Sequence, residues 1–347
     1  MKVTMKDIAN KLGISINAVS IALNDKPGVS DEMRLEILKM ADKMGYINQK
    51  RQYLSVYSKS NICILMQSYY ADTGHFYSIV LRSIVEQAKV FGYFSILNYF
   101  EDGHFVVPEC IEERKVAGIL VVGKISDSNL LLLKNIGVPV VLVDFTSLCT
   151  PCDCVLTHNK QGSYMMTTHV INKGYQRIGF FGDLDYSFSF EDRFIGFKQS
   201  LLKNNIVSYS KVDEYIQKYS FLQGIEEYVL TNQIDKIIEI LNTKKLPEVL
   251  VCANDSNAFA VITALKDMGL KVPKDISVVG FDDTPLCVKS VPQITTVQVQ
   301  KELMGEVAVS NLIDRIHRKE NIPMTQLLCV KIVERTSLKI YKRFHHL

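Results

Sequence analysis

The sequence feature that most constrains the fold is residues 4–23, TMKDIANKLGISINAVSIAL, where two short stretches of helical periodicity flank a glycine. In the first stretch, apolar residues recur at spacings of three and four, which predicts an amphipathic helix capped by Thr4. Gly13 supplies a permissive turn, and Ser15 can cap the second helix. Two short helices joined by such a turn are typical of the helix-turn-helix, whose second helix enters the major groove of DNA.

Residues 30–44 carry the signature of a third helix. Ser30 can cap it, and a stripe of apolar residues at helical spacing follows, ending at Gly45. The stripe consists of Met33, Ile37, Met40 and Met44. We therefore predict that this helix closes a three-helix core.

Residues 3–46 resemble the DNA-binding headpiece of the LacI/GalR family of bacterial transcription regulators. The matching elements occur in family order: KDIA, a Gly-hydrophobic-Ser turn, AVS, LN after the second helix, VS before the third helix and a closing GY. The resemblance implies that the exposed residues Ile16, Asn17 and Ile21 face base edges. The predicted DNA contacts are Thr4, Ser15, Ile16, Asn17, Ala18, Ser20, Ile21, Asn24, Lys50, Arg51 and Leu54.

Residues 47–60, INQKRQYLSVYSKS, have the mixed polar and basic composition of a linker. In the LacI/GalR family this linker forms a hinge helix on the operator and places a Leu between base steps in the minor groove. Here Tyr53 and Ser55 stand where the family usually has Arg and Leu, and Asn48 stands where it usually has Pro. Leu54 can act as the wedge only if the hinge is one residue shorter. A minor-groove hinge helix and a disordered tether therefore remain alternatives.

Charge is unevenly distributed along the 347 residues. Residues 1–60 hold ten Lys and Arg against six Asp and Glu, whereas the rest of the chain holds 30 against 31. The basic excess therefore lies at the predicted DNA-binding end. The N-terminus does not resemble a signal peptide, and no segment reaches the roughly 18 apolar residues that a membrane helix needs. We therefore expect a cytoplasmic protein with no membrane partner.

The cysteines allow two interpretations. Eight cysteines in a long cytosolic chain are most simply reduced thiols, several of them in apolar runs. Cys149, Cys152 and Cys154 form a C-x-x-C-x-C pattern that is compatible with a metal or redox site, with His158 as the only obvious fourth ligand. We favour ordinary thiols and predict neither a metal nor a cofactor.

From residue 61 onward, short apolar runs alternate with amphipathic helical segments, which predicts an α/β fold with parallel sheets. The runs are NICILM, YFSILNYF, GILVVG, VPVVLVDF, RIGFFGD, PEVLVCAND and ISVVGFDD. In open α/β sheets, ligands bind outside the carboxyl ends of the strands. The polar residues that end several runs are therefore candidate ligand contacts.

The resemblance to the LacI/GalR family continues to about residue 337. Residues 138–144 are similar to the family's GIPVVxxD element, residues 193–197 to its RxxGF element, and VPKDISVVGFDD and VPQITTV follow in family order. This resemblance implies two doubly wound α/β lobes of the type I periplasmic-binding-protein kind, with the ligand in the cleft between them. It places the three chain crossings near Thr157, Thr296 and Pro323.

The periodicity and the family resemblance together give the predicted domain boundaries. A small all-α helix-turn-helix headpiece occupies residues 1–46 and a hinge occupies residues 47–60. An effector-binding and dimerisation domain occupies residues 61–347. Its N-lobe covers about 61–157 and 297–323, and its C-lobe covers about 158–296 and 324–340.

Four residues match family positions that hydrogen-bond the effector: Asp144, Arg193, Asn254 and Asp282. A carboxylate can accept two neighbouring hydroxyls, and Arg offers a rigid fork of donors. Aromatic residues in SYYADTGHFYS suit a sugar ring or a base. The predicted effector contacts are Ser68, Tyr69, Phe76, Tyr77, Asp144, Arg193, Asn254, Asp282 and Lys301.

Each of these assignments has a structural alternative. Asn254 can merely cap the following helix, and Arg193 can pair with Asp192 or Glu191 on a solvated face. Lys301 stands at a family position that often carries an aromatic residue, which allows a negatively charged effector. The aromatic residues can equally belong to the core of the lobes.

Catalysis has little support in the sequence. The adjacent Asp282 and Asp283 resemble a dyad, but neighbours at a strand end point in opposite directions and seldom share a proton. His158, His169 and Ser163 form no recognisable hydrolytic motif.

We therefore predict a non-enzymatic, sequence-specific transcription regulator that acts as a repressor. It would be a homodimer or tetramer that binds operator DNA and a small-molecule effector, a sugar or sugar derivative. The alternative is a soluble sugar-binding protein that has lost DNA binding.

Overall fold

The computed structural model describes residues 3–23, 28–46, 61–72, 75–317 and 322–340. At the N-terminus, three helices, α1 (Met5–Leu12), α2 (Ile16–Leu23) and α3 (Asp31–Lys43), pack around a small apolar core. Thr4 accepts a hydrogen bond from the Asp7 amide, and the Asp7 carboxylate accepts one from the Thr4 amide. This capping box starts α1, and Gly13, at φ +67°, ends it.

The remainder is built from alternating strands and helices. The strands are β1 (Asn61–Gln67), β2 (Phe94–Phe100), β3 (Gly118–Val122), β4 (Val140–Val143), β5 (Asp153–Thr157), β6 (Ile178–Phe181), β7 (Val249–Cys252), β8 (Ser277–Val279), β9 (Thr296–Gln298), β10 (Thr325–Leu328) and β11 (Lys331–Val333). The helices are α4 (Ser68–Asp72), α5 (His75–Val90), α6 (Glu109–Glu112), α7 (Asp127–Asn135), α8 (Asn159–Asn172), α9 (Phe188–Lys203), α10 (Val212–Tyr219), α11 (Glu226–Leu230), α12 (Ile234–Asn242), α13 (Asp255–Asp267), α14 (Leu286–Lys289) and α15 (Lys301–His317).

The N-lobe is organised by a parallel six-stranded sheet in the order β10-β5-β4-β3-β1-β2. Its central strands are fully buried, because helices cover both faces of a parallel sheet. Helices α5 and α15 pack on one face, where Val80, Ile84 and Leu312 are buried against the strands. Helix α7 contributes Leu130 and Leu133 to the apolar cluster of the other face. This confirms the predicted α/β layering of the chain after residue 61.

The C-lobe contains a smaller parallel sheet in the order β6-β7-β8. Helices α8 and α9 pack closely together beside it. At Gly196 of α9, an added Cβ would lie 2.1 Å from the carbonyl oxygen of Lys160. Only Gly permits this approach, which brings the middle of α9 against the start of α8. Arg193, which lies about one turn before Gly196, is then beside Asn159.

The chain passes between the lobes at three places. It leaves the N-lobe sheet after β5, which ends at Thr157, and it returns through β9, which begins at Thr296. The third crossing lies after β10, because β10 pairs with β5 in the N-lobe sheet and β11 pairs with β9. The prediction of a third crossing near Pro323 was wrong. The strand signal was weak there, since β10 is an edge strand with alternating exposure.

Among the described residues, no helix is both long enough and apolar enough to cross a membrane.

Candidate functional site

Helix α2 carries the predicted base-reading side chains on its outer face. Val19 and Ala22 are buried in the headpiece core, whereas Asn17 is exposed and Ile16 is 47% exposed. Ile21 is only partly exposed, and its side chain lies 3.4 Å from where a Cβ on Gly28 would stand. The geometry therefore presents Ile16 and Asn17 more freely than Ile21.

The other predicted DNA contacts have local roles or lie outside the described residues. Ser15 caps α2 by accepting a hydrogen bond from the Ala18 amide at 3.1 Å, and Thr4 caps α1. Such caps at helix N-termini leave side chains at the surface where phosphates can approach. Ala18 and Ser20 are partly exposed. Asn24, Lys50, Arg51, Leu54 and the hinge positions Asn48, Tyr53 and Ser55 lie outside the described part of the chain.

Arg193 is the centre of the candidate effector site. Although charged, it is only 5% exposed. Its guanidinium donates to the side-chain oxygen of Asn159 at 2.9 Å, to the carbonyl of Ala253 at 2.7 Å and to the carboxylate of Asp282 at 3.0 Å. These bonds use three of the five N–H groups of an Arg side chain. The predicted alternative, an ion pair with Asp192 or Glu191 on a solvated face, was therefore wrong.

Asp282 and Asp283 form a strained turn after β8. Their φ angles are +110° and +54°, a region that side chains other than Gly seldom adopt. Asp282 is directed to Arg193, whereas Asp283 binds Arg335 at 2.7 Å. Because the two carboxylates have separate cationic partners, they do not form a proton-sharing dyad. Burial raises the pKa of Asp282, and the charges of Arg193 and Lys301 oppose that rise.

Asp144 approaches this cluster from the N-lobe. It follows β4 in the left-handed conformation, at φ +58°, and accepts a hydrogen bond from the Tyr77 hydroxyl at 3.0 Å. Burial raises the pKa of Asp144 to about 6, while the nearby charge of Arg193 lowers it and that of Asp282 raises it. The structure therefore brings together Asp144, Arg193 and Asp282, three of the predicted effector contacts, with a strained backbone at both carboxylates.

An aromatic group faces the cluster from both lobes. On the N-lobe, the ring centroid of Tyr77 lies 4.8 Å from that of Tyr70 and 5.0 Å from that of Phe76. On the C-lobe, the Tyr186 ring packs 5.0 Å from Phe190. The hydroxyls of Tyr69 and Tyr186 are 3.0 Å apart and join the lobes by a hydrogen bond. Flat rings on both sides suit a ring-shaped ligand.

The side chains of three predicted effector contacts are hydrogen-bonded to backbone groups of the protein. Asn254 caps α13 by accepting a bond from the Asn257 amide at 2.8 Å, as the structural alternative proposed. Ser68 donates its hydroxyl to the carbonyl of Phe100 at 3.2 Å. Lys301, only 5% exposed, donates to the carbonyls of Asp282 and Asp283, and its ammonium lies 5.9 Å from the ring centre of Phe76.

Three further buried acidic groups lie around the cluster, and sequence reasoning missed one of them, Glu226. Asp183 accepts backbone bonds from Ile225 and Glu226, and Glu226 accepts a bond from Asn257 at 2.7 Å. Burial raises the pKa of Glu226 to about 7 and that of Asp255 to about 7. Asp183 and Asp255 end apolar runs, and the strand-end rule therefore marked them as candidate ligand contacts. Glu226 is the first residue of the short helix α11 and does not follow an apolar run, so it had no such signal.

The cysteine pattern places its members in different surroundings. Cys149 is exposed, Cys152 is half-buried and Cys154 is buried in β5, and all three are free thiols. The Cys154 sulfur lies 3.1 Å from the Thr325 hydroxyl across the sheet. Across the described residues, no group of three or more His, Cys, Asp or Glu side chains is arranged to hold a metal ion.

Comparison with known proteins agrees with the two-part architecture. Residues 4–49 match the family model of bacterial regulatory proteins of the lacI family, and residues 167–338 match the periplasmic binding protein-like domain. The chain belongs to the LacI family of bacterial transcription regulators. Together with the packed helices α1, α2 and α3, this membership makes it a DNA-binding transcription regulator and not an enzyme. The comparisons therefore favour a DNA-binding regulator over the alternative of a soluble sugar-binding protein that has lost DNA binding.

Relatives in the LacI family match nearly the whole chain. The HTH-type transcriptional regulator RegA of Clostridium saccharobutylicum is 28% identical over 345 residues, covering 97% of this chain and 99% of RegA. The HTH-type transcriptional repressor PurR of Glaesserella parasuis is 26% identical over 325 residues, covering 92% of each chain.

Solved structures show the same fold. The lac repressor dimer bound to operator and the anti-inducer ONPF has a TM-score of 0.66 at 23% identity, covering 97% of this chain and 99% of that one. A complex of the transcriptional regulator CelR with cellobiose has a TM-score of 0.65 at 20% identity, covering 96% and 99%.

Proposed function

We propose that the chain is a repressor whose affinity for operator DNA is controlled by a small effector bound between the lobes. The observation that carries this proposal is the convergence of Asp144 from the N-lobe with Arg193 and Asp282 from the C-lobe. A ligand bonded to both sides must favour one arrangement of the lobes over others. It can then shift the protein between two states only by as much as it prefers one of them.

The effector class proposed is an uncharged sugar or sugar derivative. Arg193 is already paired with Asp282, and the ammonium of Lys301 is bonded to two carbonyls. The Asp144 carboxylate, whose pKa of about 6 leaves it mostly ionised at neutral pH, would repel an anion. Neutral hydroxyls can instead bridge the free donors of Arg193 and the carboxylate oxygens. This argues against the negatively charged effector that the position of Lys301 allowed.

A purine base is the second candidate for the effector. The relatives named PurR favour it, and so does the pair of aromatic walls, since stacked rings hold a flat base well. The two candidates differ in what Arg193 and Asp282 would contact. A sugar offers vicinal hydroxyls, whereas a base offers ring nitrogens and a carbonyl or amine.

A homodimer is proposed as the DNA-binding form, since each headpiece reads one half-site. The N-lobe sheet ends in β2, an edge strand with large exposed apolar side chains, and helix α5 packs beside it. Phe94 is 74% exposed and Val90 is 77% exposed. Exposed apolar residues on an unpaired strand edge favour a partner that covers them. A second copy of the same surface would do so with twofold symmetry.

Thermal melting of the full chain tests the effector assignment. The compounds are D-ribose, D-cellobiose, D-glucose, D-glucose 6-phosphate, hypoxanthine and guanine, each added in excess to the parent and to the variants Arg193→Ala and Asp282→Ala. We expect a neutral sugar to raise the melting temperature of the parent and to have no effect on either variant. Stabilisation by a base alone would favour the purine candidate, and stabilisation by the phosphorylated sugar alone would contradict the charge argument. Lys198→Ala, on the outer face of α9, is the control.

A further inference from the structure

The turn formed by residues 282–283, hereafter the aspartate turn, connects the effector cluster to the rest of the domain. The Asp282 carboxylate accepts a hydrogen bond from Arg193. The Asp282 carbonyl instead accepts one from Lys301, and the Asp283 carboxylate accepts one from Arg335. Both residues have positive φ angles, so the turn persists only if surrounding contacts hold it. The identity of those contacts shows which elements would respond to a change at Asp282.

Lys301 joins the aspartate turn to the N-lobe. It begins α15, which packs against β3, β4, β5 and α5. From there its ammonium donates to the carbonyl of Asp282 and, at 3.3 Å, to that of Asp283. A buried ammonium is costly unless its donors are satisfied, and two carbonyls meet that need. The N-lobe helix is therefore hydrogen-bonded directly to the backbone of the turn.

The Asp283 side chain joins the turn to the segments that cross between the lobes. Its carboxylate accepts a bond from Gln298, in β9, at 2.6 Å and one from Arg335, just after β11, at 2.7 Å. The Asp282 amide donates to the carbonyl of Val297 at 2.8 Å. The strands β9 and β11 pair with each other, so the turn is held by both of them.

We propose that Lys301 is a positioning residue that transmits effector occupancy from the aspartate turn to the N-lobe, without itself contacting the effector. The inference rests on the proposed function. An effector that bonds to Asp282 shifts the turn, and the turn's carbonyls pull on the first turn of α15 through Lys301. Asp283 conveys the same shift to the crossing strands. Both contacts then bias the relative orientation of the lobes.

The experiment compares the full-length parent with Lys301→Met, Lys301→Arg and the control Lys266→Met. Met keeps the apolar stem of Lys301 and removes its donors, whereas Arg keeps a charged donor. Lys266 is exposed on α13 and serves as a matched surface lysine. Hydrogen exchange is measured without added compound. Operator affinity is measured with and without the compound, from D-ribose, D-cellobiose, D-glucose and hypoxanthine, that stabilises the parent most.

We expect Lys301→Met to speed exchange at residues 282–284 and 296–298 by about tenfold or more, since local opening there becomes easier. Its affinity for the compound should stay close to that of the parent, whereas the compound should no longer change operator affinity. Lys301→Arg should restore part of the response. A residue with only a structural role would lower stability and leave the response of the folded molecules intact.

Two results would overturn the proposal. Exchange and operator response in Lys301→Met that match those of Lys266→Met would show that Lys301 does not hold the turn. Loss of compound binding as complete as in Asp282→Ala would show that Lys301 contacts the effector directly. If no compound stabilises the parent, the proposed effector class is wrong, but this result does not decide the role of Lys301. Exchange at residues 282–284 then decides whether Lys301 holds the turn, and unchanged exchange refutes it.

Discussion

Replacing Arg193 with Met should destabilise the protein strongly, because it removes one member of a buried ion pair. Arg193 is 5% exposed and bonds to Asn159, to the Ala253 carbonyl and to Asp282. Met fills much of the same apolar volume but leaves the Asp282 carboxylate without its partner. Breaking a buried pair in this way costs about 3–5 kcal/mol, and we expect the free energy of unfolding to fall by that amount.

The loss should depend on pH. Burial already raises the pKa of Asp282, and the charge of Arg193 opposes that rise, so the substitution should raise this pKa further. A carboxyl group whose pKa is higher in the folded than in the unfolded state binds an extra proton on folding. The ionised carboxylate therefore destabilises the folded protein to the full extent at pH values above its pKa in the folded state. This destabilisation is lost as pH falls from the folded pKa toward the unfolded value of about 3.9.

Urea unfolding followed by circular dichroism measures both effects, since the chain contains no Trp to report by fluorescence. The parent, Arg193→Met and the double variant Arg193→Met/Asp282→Asn are compared at pH 8 and at pH 5. The double variant should recover part of the stability and lose the part of the added pH dependence that comes from Asp282. Lys198 lies on the same helix as Arg193, and Lys198→Met breaks only a surface pair with Asp213 of α10, so this variant should stay within about 1 kcal/mol of the parent. An Arg193→Met variant as stable as this control, or a deficit equal at both pH values, would refute the reasoning.

Three further predictions concern DNA binding and assembly. Asn17→Ala should cost about 1–3 kcal/mol at a single base pair, read by competition between operator variants, and a uniform loss would mean a phosphate contact instead. Lys50→Ala should reduce the slope of log affinity against log salt by about 1 without altering sequence preference, whereas an unchanged slope would place the 50–59 segment off the DNA. Phe94→Asp should weaken self-association in sedimentation experiments, and Tyr209→Asp on the C-lobe surface should not.

The periodicity of the chain predicted an α/β fold with parallel strands, whereas the two-lobed arrangement was implied by the family resemblance. Every apolar run named from the sequence forms a strand, and the helix-turn-helix signature at Thr4, Gly13 and Ser15 forms the expected caps and turn. Buried parallel strands are recognisable because both faces must be apolar. The edge strand β10 was assigned to the wrong lobe, since an edge strand lacks that constraint and only its pairing partner reveals where it belongs.

The candidate site was predicted partly from a strand-end rule and partly, as for Arg193 within helix α9, from the family resemblance alone. Asp144 and Asp282 follow strands, and parallel strands bring their carboxyl ends to one edge. The hydrogen bond between Tyr69 and Tyr186 depends on the approach of two lobes, which no local pattern encodes. The sequence likewise could not show that Lys301 donates to carbonyls on the aspartate turn, because that contact depends on the course of the backbone at positive φ.

The central claim is that a ligand between the lobes controls binding to DNA, and the most direct test is the operator affinity of the full chain with and without the compound that stabilises it. An operator enriched from random duplexes by the parent serves as the DNA, and fluorescence anisotropy gives the dissociation constant. The account predicts that saturating compound changes this dissociation constant by about 5- to 150-fold, which corresponds to typical coupling free energies between two sites. It also predicts no change in Arg193→Ala. An equal operator affinity in the parent with and without bound compound would contradict the account.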